Sequence, residues 1–524
     1  MGDNDSEHMR QLFVAARIQS GGRSLNEIYK HVNKYYPLPC SIAEMVQLEL
    51  DTEREMLVPI VATRQLIGNL RKKGNIMFVS DMYLPDDFLI EILTYHGFFH
   101  EGDKLYVSDS VGAWKHDGSI FQLIHEKENI PYRHWHHYGD NPHSDYQIPK
   151  HLGIHAHHLY YDYLYYESQW RQTITAGFQY PQILAGICRA TRLMSNAPEC
   201  QKSFVANISS PFMISWTLYI LNDAKQRGIR RLYFLARDVH SEYLIAKNLI
   251  KLFPEIEIKY LFISRKALSC GTLAKEFLQE EGVFDGTPGA LVDSWSTGHT
   301  SYIINNMIVK HGGIPIHSYL IVKIHSTENL FCVNEDSVFN DQYLNTIIPQ
   351  RINRVLGMRI FFELLFSLNF HHTIHGYEYH GKLMRPIFGQ DDNDEWFFDN
   401  MNYHFAKKNN DLLLQQITDT IIKTNLHQYY VQMLEHFAIP TLIDYIDCPR
   451  REYTEYLHHF IWFGKPFVGH IMGDSKGVWA RGNRGFCIPR WIINTYYELI
   501  KHTTIRKKIN QFASWIPCPT TDQN

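Results

Sequence analysis

The sequence predicts an α/β protein in which parallel strands alternate with helices, followed by a mainly helical C-terminal region. Two observations lead to this prediction. Short apolar runs alternate with helix-length stretches at about residues 76–157 and again at 231–322, and strands in such an alternation pair in parallel with helices on both faces of the sheet. The chain has 524 residues, of which 45% are hydrophobic and 20% charged, so it is long enough to form several domains with buried cores.

Composition argues against several classes of partner. The formal net charge is -4, and no block of like charge is long enough to favour nucleic acid or an anionic membrane surface. The 8 cysteines are scattered singly, which is typical of a reducing compartment and indicates a cytoplasmic protein without a secretory signal. The longest apolar stretch, residues 204–221, contains several polar residues and a proline. We expect it to be a helix buried in protein, with no membrane span.

Residues 1–165 are predicted to form the first domain. Helical periodicity over residues 24–32 and 42–70 predicts that about residues 10–70 are helical. Strands and helices then alternate, with strands at 76–80, 104–108, 135–138 and 153–157 and helices at 86–96, 118–127 and 144–151. This order is typical of an open parallel sheet.

Polar residues follow three of these strands at the point where each strand ends. They are Ser80 and Asp81 after the first, Lys115 after the second, and Asp140, Asn141 and Asp145 after the third. Because the carboxyl ends of parallel strands meet at one edge of a sheet, we expect these side chains to converge in one crevice. A hydroxyl, an ammonium group and carboxylates together suit a phosphate group with Mg²⁺.

These segments resemble the motifs of the haloacid-dehalogenase (HAD) superfamily of phosphohydrolases, in particular its large bacterial members associated with surface-polysaccharide genes. The matching text is Phe78 to Pro85, Gly112 to Gly118 and Tyr138 to Asp145, within a resemblance that covers roughly residues 10–160. The resemblance implies a HAD-like Rossmannoid parallel sheet with a helical cap.

The same resemblance implies roles for individual residues. Ser80 and Lys115 would act on the phosphoryl group, the first by hydrogen bonding its oxygens and the second by neutralising an aspartyl-phosphate transition state. Asp140 would hold Mg²⁺ with Asp145 in support. Asp81 and Asn141 would join Ser80 and Lys115 in contacting the substrate.

The nucleophile of that family is missing from the expected place. It lies in an N-terminal strand that ends in Asp-x-Asp, and no such motif follows an apolar run before Ser80; Asp3 and Asp5 have the spacing but not the run. The resemblance puts that strand between the strands ending at Ser80 and Tyr138, so its absence would leave two unpaired strand edges unless another segment fills the gap or the sheet closes differently. We therefore expect no phosphoryl transfer, whether the sequence is a shortened form of an active enzyme or a line that has lost activity.

Each of these residues also has a simpler interpretation. Ser80 would cap the following helix, Asp140 or Asp145 would cap a turn or helix, and Lys115 would be a solvated loop charge. Two histidine clusters, His134 to His137 and His155 to His158, lie on or beside predicted strands. Because adjacent side chains of a strand point to opposite faces, we expect core and surface histidines rather than a zinc site.

The rest of the chain is predicted to contain three further regions and a tail. Residues 166–205 are expected to be a helical connector, 206–345 a second, Rossmann-like α/β domain, 346–516 a mainly helical region, and 517–524 a disordered tail. The strands of the second domain are expected at 232–236, 260–263, 290–292 and 319–322.

A second candidate site lies where the strand at 290–292 leads into a helix. Its loop residues are Asp293, Ser296, Thr297, Gly298 and Thr300, with Arg237 and Arg265 after neighbouring strands. Free amides, hydroxyls and positive charge in such a loop suit an anion. The loop is similar to the phosphate-binding loop of type I phosphoribosyltransferases, although Ser294 and Trp295 depart from that pattern. A helix N-cap with two structural arginines explains the same residues equally well.

Three functions follow from these observations. The first is a HAD-like scaffold that binds a phosphorylated small molecule, such as a sugar phosphate in bacterial surface-polysaccharide metabolism, with impaired catalysis. The second is a phosphoribosyltransferase-like or nucleotide-binding protein acting through the loop at 293–300. The third is a non-catalytic scaffold for glycosyltransferase partners.

Overall fold

The structure, a computed structural model, describes residues 11–173 apart from 12, 17, 20–23 and 36, together with 180–294, 298–321, 344–346, 373–389, 401–447, 450, 453, 461–462 and 465–466. Ser296, Thr297, the Asp3 to Asp5 motif and the predicted tail at 517–524 lie outside these residues. The chain divides into two compact units. The first comprises Met1–Ser168 and Gln172–Gln179, and the second Gln169–Arg171 and Tyr180–Asn524.

The first unit begins with a helical region, as predicted. Its helices are α1 (Leu25–Tyr35), α2 (Ile42–Met56) and α3 (Val61–Arg71). Ser41 caps α2 in a capping box with Glu44, which satisfies free amides of the first helical turn. The stretch predicted as one helical run is broken after Met56 because Pro59 cannot continue a helix that begins upstream.

The alternation of strands and helices follows, within a few residues of the predicted positions. The elements are β1 (Met77–Ser80), α4 (Asp86–Tyr95), β2 (Lys104–Val107), α5 (Ser108–Val111), α6 (Ser119–Glu128), β3 (His136–Gly139), α7 (Ile148–His151), β4 (His155–His158) and α8 (Tyr165–Gln172). A π-helical turn, Pro142–Gln147, leads into α7. Helix α8 crosses the division between the two units.

The described strands of this region do not form the single open sheet that was expected, and the prediction is corrected on this point. Strand β1 pairs in parallel with β2, and β3 pairs in parallel with β4, but the two pairs are separate two-stranded sheets. No strand in the described part of the first unit lies between them. Local periodicity predicts a strand but carries no information about which neighbour it pairs with.

Helix α6 provides the common core of the two strand pairs. Its Ile120, Phe121 and Ile124 are fully buried and pack in one cluster with Tyr106 of β2 and with Trp135, which precedes β3. The spacing of these three residues places them on one helical face. The buried face of α6 therefore joins elements that no backbone ladder connects.

The second unit contains a five-stranded, all-parallel sheet. The elements up to the last strand of this sheet are α9 (Tyr180–Met194), α10 (Glu199–Phe204), α11 (Ser210–Gln226), β5 (Arg231–Leu235), α12 (His240–Leu249), β6 (Glu257–Leu261), α13 (Arg265–Leu268), α14 (Thr272–Glu280), β7 (Gly289–Val292), α15 (His299–Lys310), β8 (His317–Leu320) and β9 (Leu344–Thr346). The strand order in the sheet is β6-β5-β7-β8-β9. All four strands predicted for this domain are present. The α/β class is therefore confirmed for both units.

The longest apolar stretch is the central helix of this unit. A π-helical segment, Val205–Ser209, joins α10 to α11, so that Glu199–Gln226 is one helical run of 28 residues with enough length and apolar character to cross a membrane. However, 94% of its most apolar window is buried inside the protein. This agrees with the prediction of a helix buried in protein.

The chain after residue 346 is not only helical where it is described. Strands β10 (Ile374–His380) and β11 (Leu383–Phe388) form an antiparallel hairpin, and Ile374, Tyr377 and Met384 pack into the core of the second unit. The helices are α16 (Met401–Lys423), α17 (Tyr430–Gln432) and α18 (Ile439–Asp447), and two short strands follow, β12 (Ile461–Trp462) and β13 (Lys465–Pro466). The alternation of Tyr377 and Tyr379 with Glu378 and His380, directly before Gly381, was the available signal for the hairpin.

Candidate functional site

The loops that follow β1, β2 and β3 meet at Lys115. The backbone amide of Lys115 donates to both carboxylate oxygens of Asp81, at 3.0 and 3.1 Å. Its Nζ donates to Oδ1 of Asp145 at 2.7 Å. Lys115, Asp81 and Asp145 come from three loops that are far apart in sequence, and the carboxyl ends of the strands bring them together.

Asp145 is held as a buried carboxylate by three donors. Its side chain is 4% exposed; Oδ1 also contacts Nε2 of His137 at 3.0 Å, and Oδ2 accepts from the amide of Asn141 at 3.1 Å. Burial opposes ionisation, but the hydrogen bonds of His137 and Lys115 and the positive charge of Lys115 hold the pKa of Asp145 well below its usual value. The carboxylate therefore stays charged at neutral pH.

Gly139 allows this carboxylate to approach the end of β3. A Cβ atom at position 139 would lie 2.4 Å from Cγ of Asp145, far inside van der Waals contact. Only glycine, which has no Cβ, fits at this position without moving the acid. Glycine at position 139 is therefore required for packing against Asp145, in addition to its place in the segment Tyr138 to Asp145.

Ser80 and Asp140 lie at the same strand ends as this group. Ser80 is half-buried at the end of β1, and Asp140 is exposed directly after β3. Ser80 does not cap the next helix, because the N-cap position of α4 is Pro85 and has no side-chain cap. The simpler interpretation of Ser80 as a helix cap is therefore wrong.

Asn141, rather than Asp140 or Asp145, caps the helical turn that follows β3. Its Oδ1 accepts from the amides of His143 and Ser144 at 2.9 and 3.0 Å. The capping role considered for the two acids therefore belongs to their neighbour. The side-chain oxygen of Asn141, expected to contact substrate, is already occupied by these two amides.

The N-terminal helical region contacts the loop after β1 through Glu49. One carboxylate oxygen of Glu49 accepts from Tyr29 at 2.6 Å, and the other from Tyr83 at 3.3 Å. Sequence reasoning missed Glu49, which lies in the middle of α2 without any motif, and also His137. Alternation along β3 was the available signal for His137, because it places His137 on the face opposite to His136.

The described side chains do not form a ready-made magnesium site. Both oxygens of Asp145 already accept hydrogen bonds, and no group of three or more His, Cys, Asp or Glu side chains in the described ranges is arranged to hold a metal ion. Mg²⁺ prefers several unencumbered oxygen ligands. Asp140 alone, among the predicted site residues described at this edge, presents an exposed carboxylate.

The second candidate site lies at the carboxyl ends of β5 and β7. These strands are neighbours in the sheet, and the chain moves outward from them in opposite directions, which is where open α/β sheets bind ligands. Arg237 follows β5, and Asp293 follows β7 with 6% exposure. The loop therefore has the predicted place in the sheet.

Three further predicted residues are described, two of them at the start of α15. Gly298 occupies its N-cap with φ 82°, a left-handed conformation that favours glycine. Burial lowers the pKa of His299, and the positive charge of Arg265 lowers it further. Arg265 is the first residue of α13, which follows β6, the neighbour of β5 in the sheet. Thr300 is half-buried in the same turn.

Ser294, which departs from the phosphoribosyltransferase pattern, has a structural role in this loop. Its Oγ donates to the buried carboxylate of Glu242 at 2.5 Å and accepts from Nε1 of Trp216 at 2.9 Å. All three side chains are buried. The Ser294 hydroxyl therefore forms a hydrogen bond with a buried carboxylate and with a buried indole. Without this hydroxyl, each of the two groups would lose a hydrogen-bond partner.

Comparison with known proteins gives no family model that matches this chain and no curated protein with similar sequence. Function must therefore be inferred from the geometry of the site.

Proposed function

We propose that this chain is a HAD-like phosphohydrolase scaffold that binds a phosphorylated small molecule, such as a sugar phosphate in bacterial surface-polysaccharide metabolism, and that it is catalytically impaired. The observation that carries the proposal is the meeting of the three loops at Lys115. Its amide contacts Asp81 and its ammonium group contacts Asp145, in the order that the resemblance implies.

Lys115 is suited to give up its contact with Asp145 and bind a ligand instead. Its side chain is 14% exposed, so the protein does not enclose it completely. Asp145 keeps His137 and the amide of Asn141 as donors when Lys115 turns away, so the buried carboxylate does not lose all compensation. A phosphate group offers several oxygens that accept charge-assisted hydrogen bonds from an ammonium group.

The separation of the two strand pairs also supports the proposal. The resemblance puts the strand with the nucleophile between β1 and β3, and these strands belong to different two-stranded sheets. Without a carboxylate nucleophile, no aspartyl-phosphate forms and the remaining residues can only bind the phosphate. Binding is to be tested with and without Mg²⁺, because the described carboxylates do not form a site for this ion.

The experiment is calorimetric titration of the full chain with glucose 1-phosphate, with and without MgCl₂. We expect Lys115→Ala to weaken binding at least tenfold, because the charged donor is lost. Lys72→Ala, which removes an exposed lysine at the end of α3, is the matched control and should bind as wild type. Equal binding by Lys115→Ala would overturn the phosphate site, and release of inorganic phosphate by the wild type would overturn the impairment.

A second candidate function is supported by the position of the other loop. Arg237 and Asp293 follow the neighbouring strands β5 and β7, and Arg265 opens the helix that follows β6, the other neighbour of β5. This arrangement favours binding of a phosphorylated nucleotide or phosphoribosyl compound at the second unit. Titration of Arg265→Ala with AMP tests it: a loss of affinity in this variant, but not in Lys115→Ala, assigns the ligand to this loop.

A further inference from the structure

Tyr260, the fourth residue of β6, carries a buried hydroxyl group that has no hydrogen-bond partner among the described residues. Nearly all buried side-chain polar atoms in proteins are paired, so an exception points to a partner that comes from outside the chain, such as a ligand or a water molecule. Burial raises the pKa of Tyr260 well above its usual value; the charge of Asp238 raises it further, and that of Arg237 opposes the rise. The hydroxyl therefore keeps its proton at neutral pH and can donate it in a hydrogen bond.

The Tyr260 side chain lies against the first turn of α12, at the carboxyl end of the sheet. In the parallel register Tyr260 is opposite Phe234, near the end of β5. The centroid of its ring is 5.4 Å from that of His240 and 5.2 Å from that of Tyr243, and both residues belong to the first turn of α12. Tyr260 therefore belongs to the same strand-end region as the second candidate site.

The surroundings of this helical turn are acidic. Asp238 lies just before α12, Glu242 is a buried acid within its first turn, and Ser241 donates to Oδ1 of Asp411 at 2.8 Å. Arg237 contributes a positive charge, which these acids outnumber. A phosphate group would be repelled here, because like charges interact strongly in a partly buried site. An uncharged ligand hydroxyl is not repelled, and it can accept from Tyr260 while it donates to a carboxylate.

Positive charge lies instead beyond the end of the same strand. Arg265 is the first residue of α13, which follows β6, and a guanidinium group suits a phosphate. A ligand that extends from Arg265 to Tyr260 thus places its phosphate at the first residue and its hydroxyls at the second. Nucleotides and phosphoribosyl compounds have this arrangement, because their ribose carries free hydroxyls as well as the 5′-phosphate.

We propose that the Tyr260 hydroxyl donates a hydrogen bond to a ribose hydroxyl of the phosphorylated nucleotide or phosphoribosyl compound bound at the carboxyl edge of the second sheet. This inference rests on the second candidate function and adds to it the residue that selects ribose over deoxyribose. Only a ligand that carries the hydroxyl gains this hydrogen bond, since a deoxyribose analogue leaves the buried donor unpaired.

The test is calorimetric titration of the full chain with AMP, 2′-deoxy-AMP and 3′-deoxy-AMP. We expect the wild type to bind one of the two deoxy analogues about tenfold more weakly than AMP. Tyr260→Phe, which removes only the hydroxyl, should bind AMP about tenfold more weakly than the wild type and should no longer distinguish AMP from that analogue.

Tyr233→Phe is the matched control. Tyr233 lies on the neighbouring strand β5 with its side chain on the opposite face of the sheet, because it alternates with Phe234. Its hydroxyl accepts from Nη1 of Arg231 at 3.2 Å, so this hydroxyl already has a partner in the protein. The Tyr233→Phe variant should bind all three nucleotides as the wild type does.

Urea denaturation without ligand separates a binding role from a structural one. The midpoint of Tyr260→Phe should equal or exceed that of the wild type, because no hydrogen bond within the chain is lost. A lower midpoint would overturn the inference by showing that the hydroxyl has a partner in the protein. Wild-type affinity of Tyr260→Phe for AMP would also overturn it but leave the second candidate function in place, whereas absence of AMP binding by the wild type would overturn both.

Discussion

At Gly139 the backbone of β3 comes so close to Asp145 that no side chain fits between them. The hypothetical Cβ atom lies 2.4 Å from Cγ of the acid. Asp145 is almost fully buried and pairs with Lys115, so displacing it disturbs a buried charge as well as local packing. The position of the candidate phosphate-binding lysine therefore depends on a residue that has no side chain.

We expect Gly139→Ala to destabilise the first unit by about 2–4 kcal/mol, because it overpacks the strand end and weakens a buried ion pair. The urea midpoint of the first unit, monitored through the hydrogen exchange of peptides from β1 and β3, measures this change. Gly68→Ala is the matched control: Gly68 lies in α3, where an added Cβ would meet no neighbouring side chain within 4 Å, and alanine there should stabilise the helix by about 0.5–1 kcal/mol. Equal midpoints for the two variants would contradict this account of Gly139.

The strands of the two units differ in how completely they are paired. Strand β1 pairs only with β2 among the described strands, and its four residues are half-buried. Strand β5 pairs with both β6 and β7, and Leu232 to Leu235 are buried. A strand with one described partner leaves backbone groups of its other edge outside the sheet's hydrogen bonds.

We expect peptides covering β1 to exchange their amide hydrogens at least tenfold faster than peptides covering β5. Unpaired amides and a partly exposed strand open more readily than a strand in the middle of a sheet. Hydrogen exchange measured by mass spectrometry on the full chain compares the two strands in one sample. Equal protection would show instead that another segment pairs with the outer edge of β1.

The molecule consists of two units with hydrophobic clusters of their own. The core around α6 belongs to the first unit, whereas Leu261 and Phe277 belong to a cluster of the second.

The second unit also contains a buried histidine nitrogen: Nε2 of His317 has no hydrogen-bond partner among the described residues. Burial lowers the pKa of His317 to about 4, and the nearby charge of Arg227 contributes in the same direction, while Asp223 opposes it.

This histidine makes the stability of the second unit depend on pH. Between the unfolded pKa of about 6.5 and the folded value of about 4, the unfolded chain binds a proton that the folded chain does not. Stability is therefore full above pH 6.5 and falls as the pH drops toward 4. We expect His317→Asn to flatten this part of the profile, whereas His311→Asn, at an exposed histidine after α15, should leave it unchanged.

The urea midpoint of the second unit, followed at several pH values between 4 and 7 by hydrogen exchange of the β8 peptide, measures this dependence. A profile of His317→Asn as steep as that of the wild type would assign the dependence to other groups.

Much of the first candidate site was predictable from the order of its residues. Ser80 ends a strand and Lys115 and Asp140 follow strands, and the rule that carboxyl ends of parallel strands converge needs no further knowledge. The partners of Asp145 were not predictable, because His137 and Asn141 reach it through the strand register and a helical turn. In the second unit the positions of β5 and β7 were predicted, but the burial of Ser294 against Glu242 and Trp216 was not, since the three residues are far apart in sequence.

The amino-acid sequence by itself determined the type and order of the main strands and helices up to about residue 322, because hydrophobic periodicity, prolines and glycines act over a few residues. It did not predict the hairpin of β10 and β11. It also determined which polar residues stand at strand ends. Only the tertiary structure decided that the first unit has two strand pairs instead of one sheet, that Gly139 accommodates Asp145, and that His136, His155 and His157 share an exposed face. The physical reason is that strand pairing and side-chain contact join residues far apart in the chain, and local periodicity does not encode that choice.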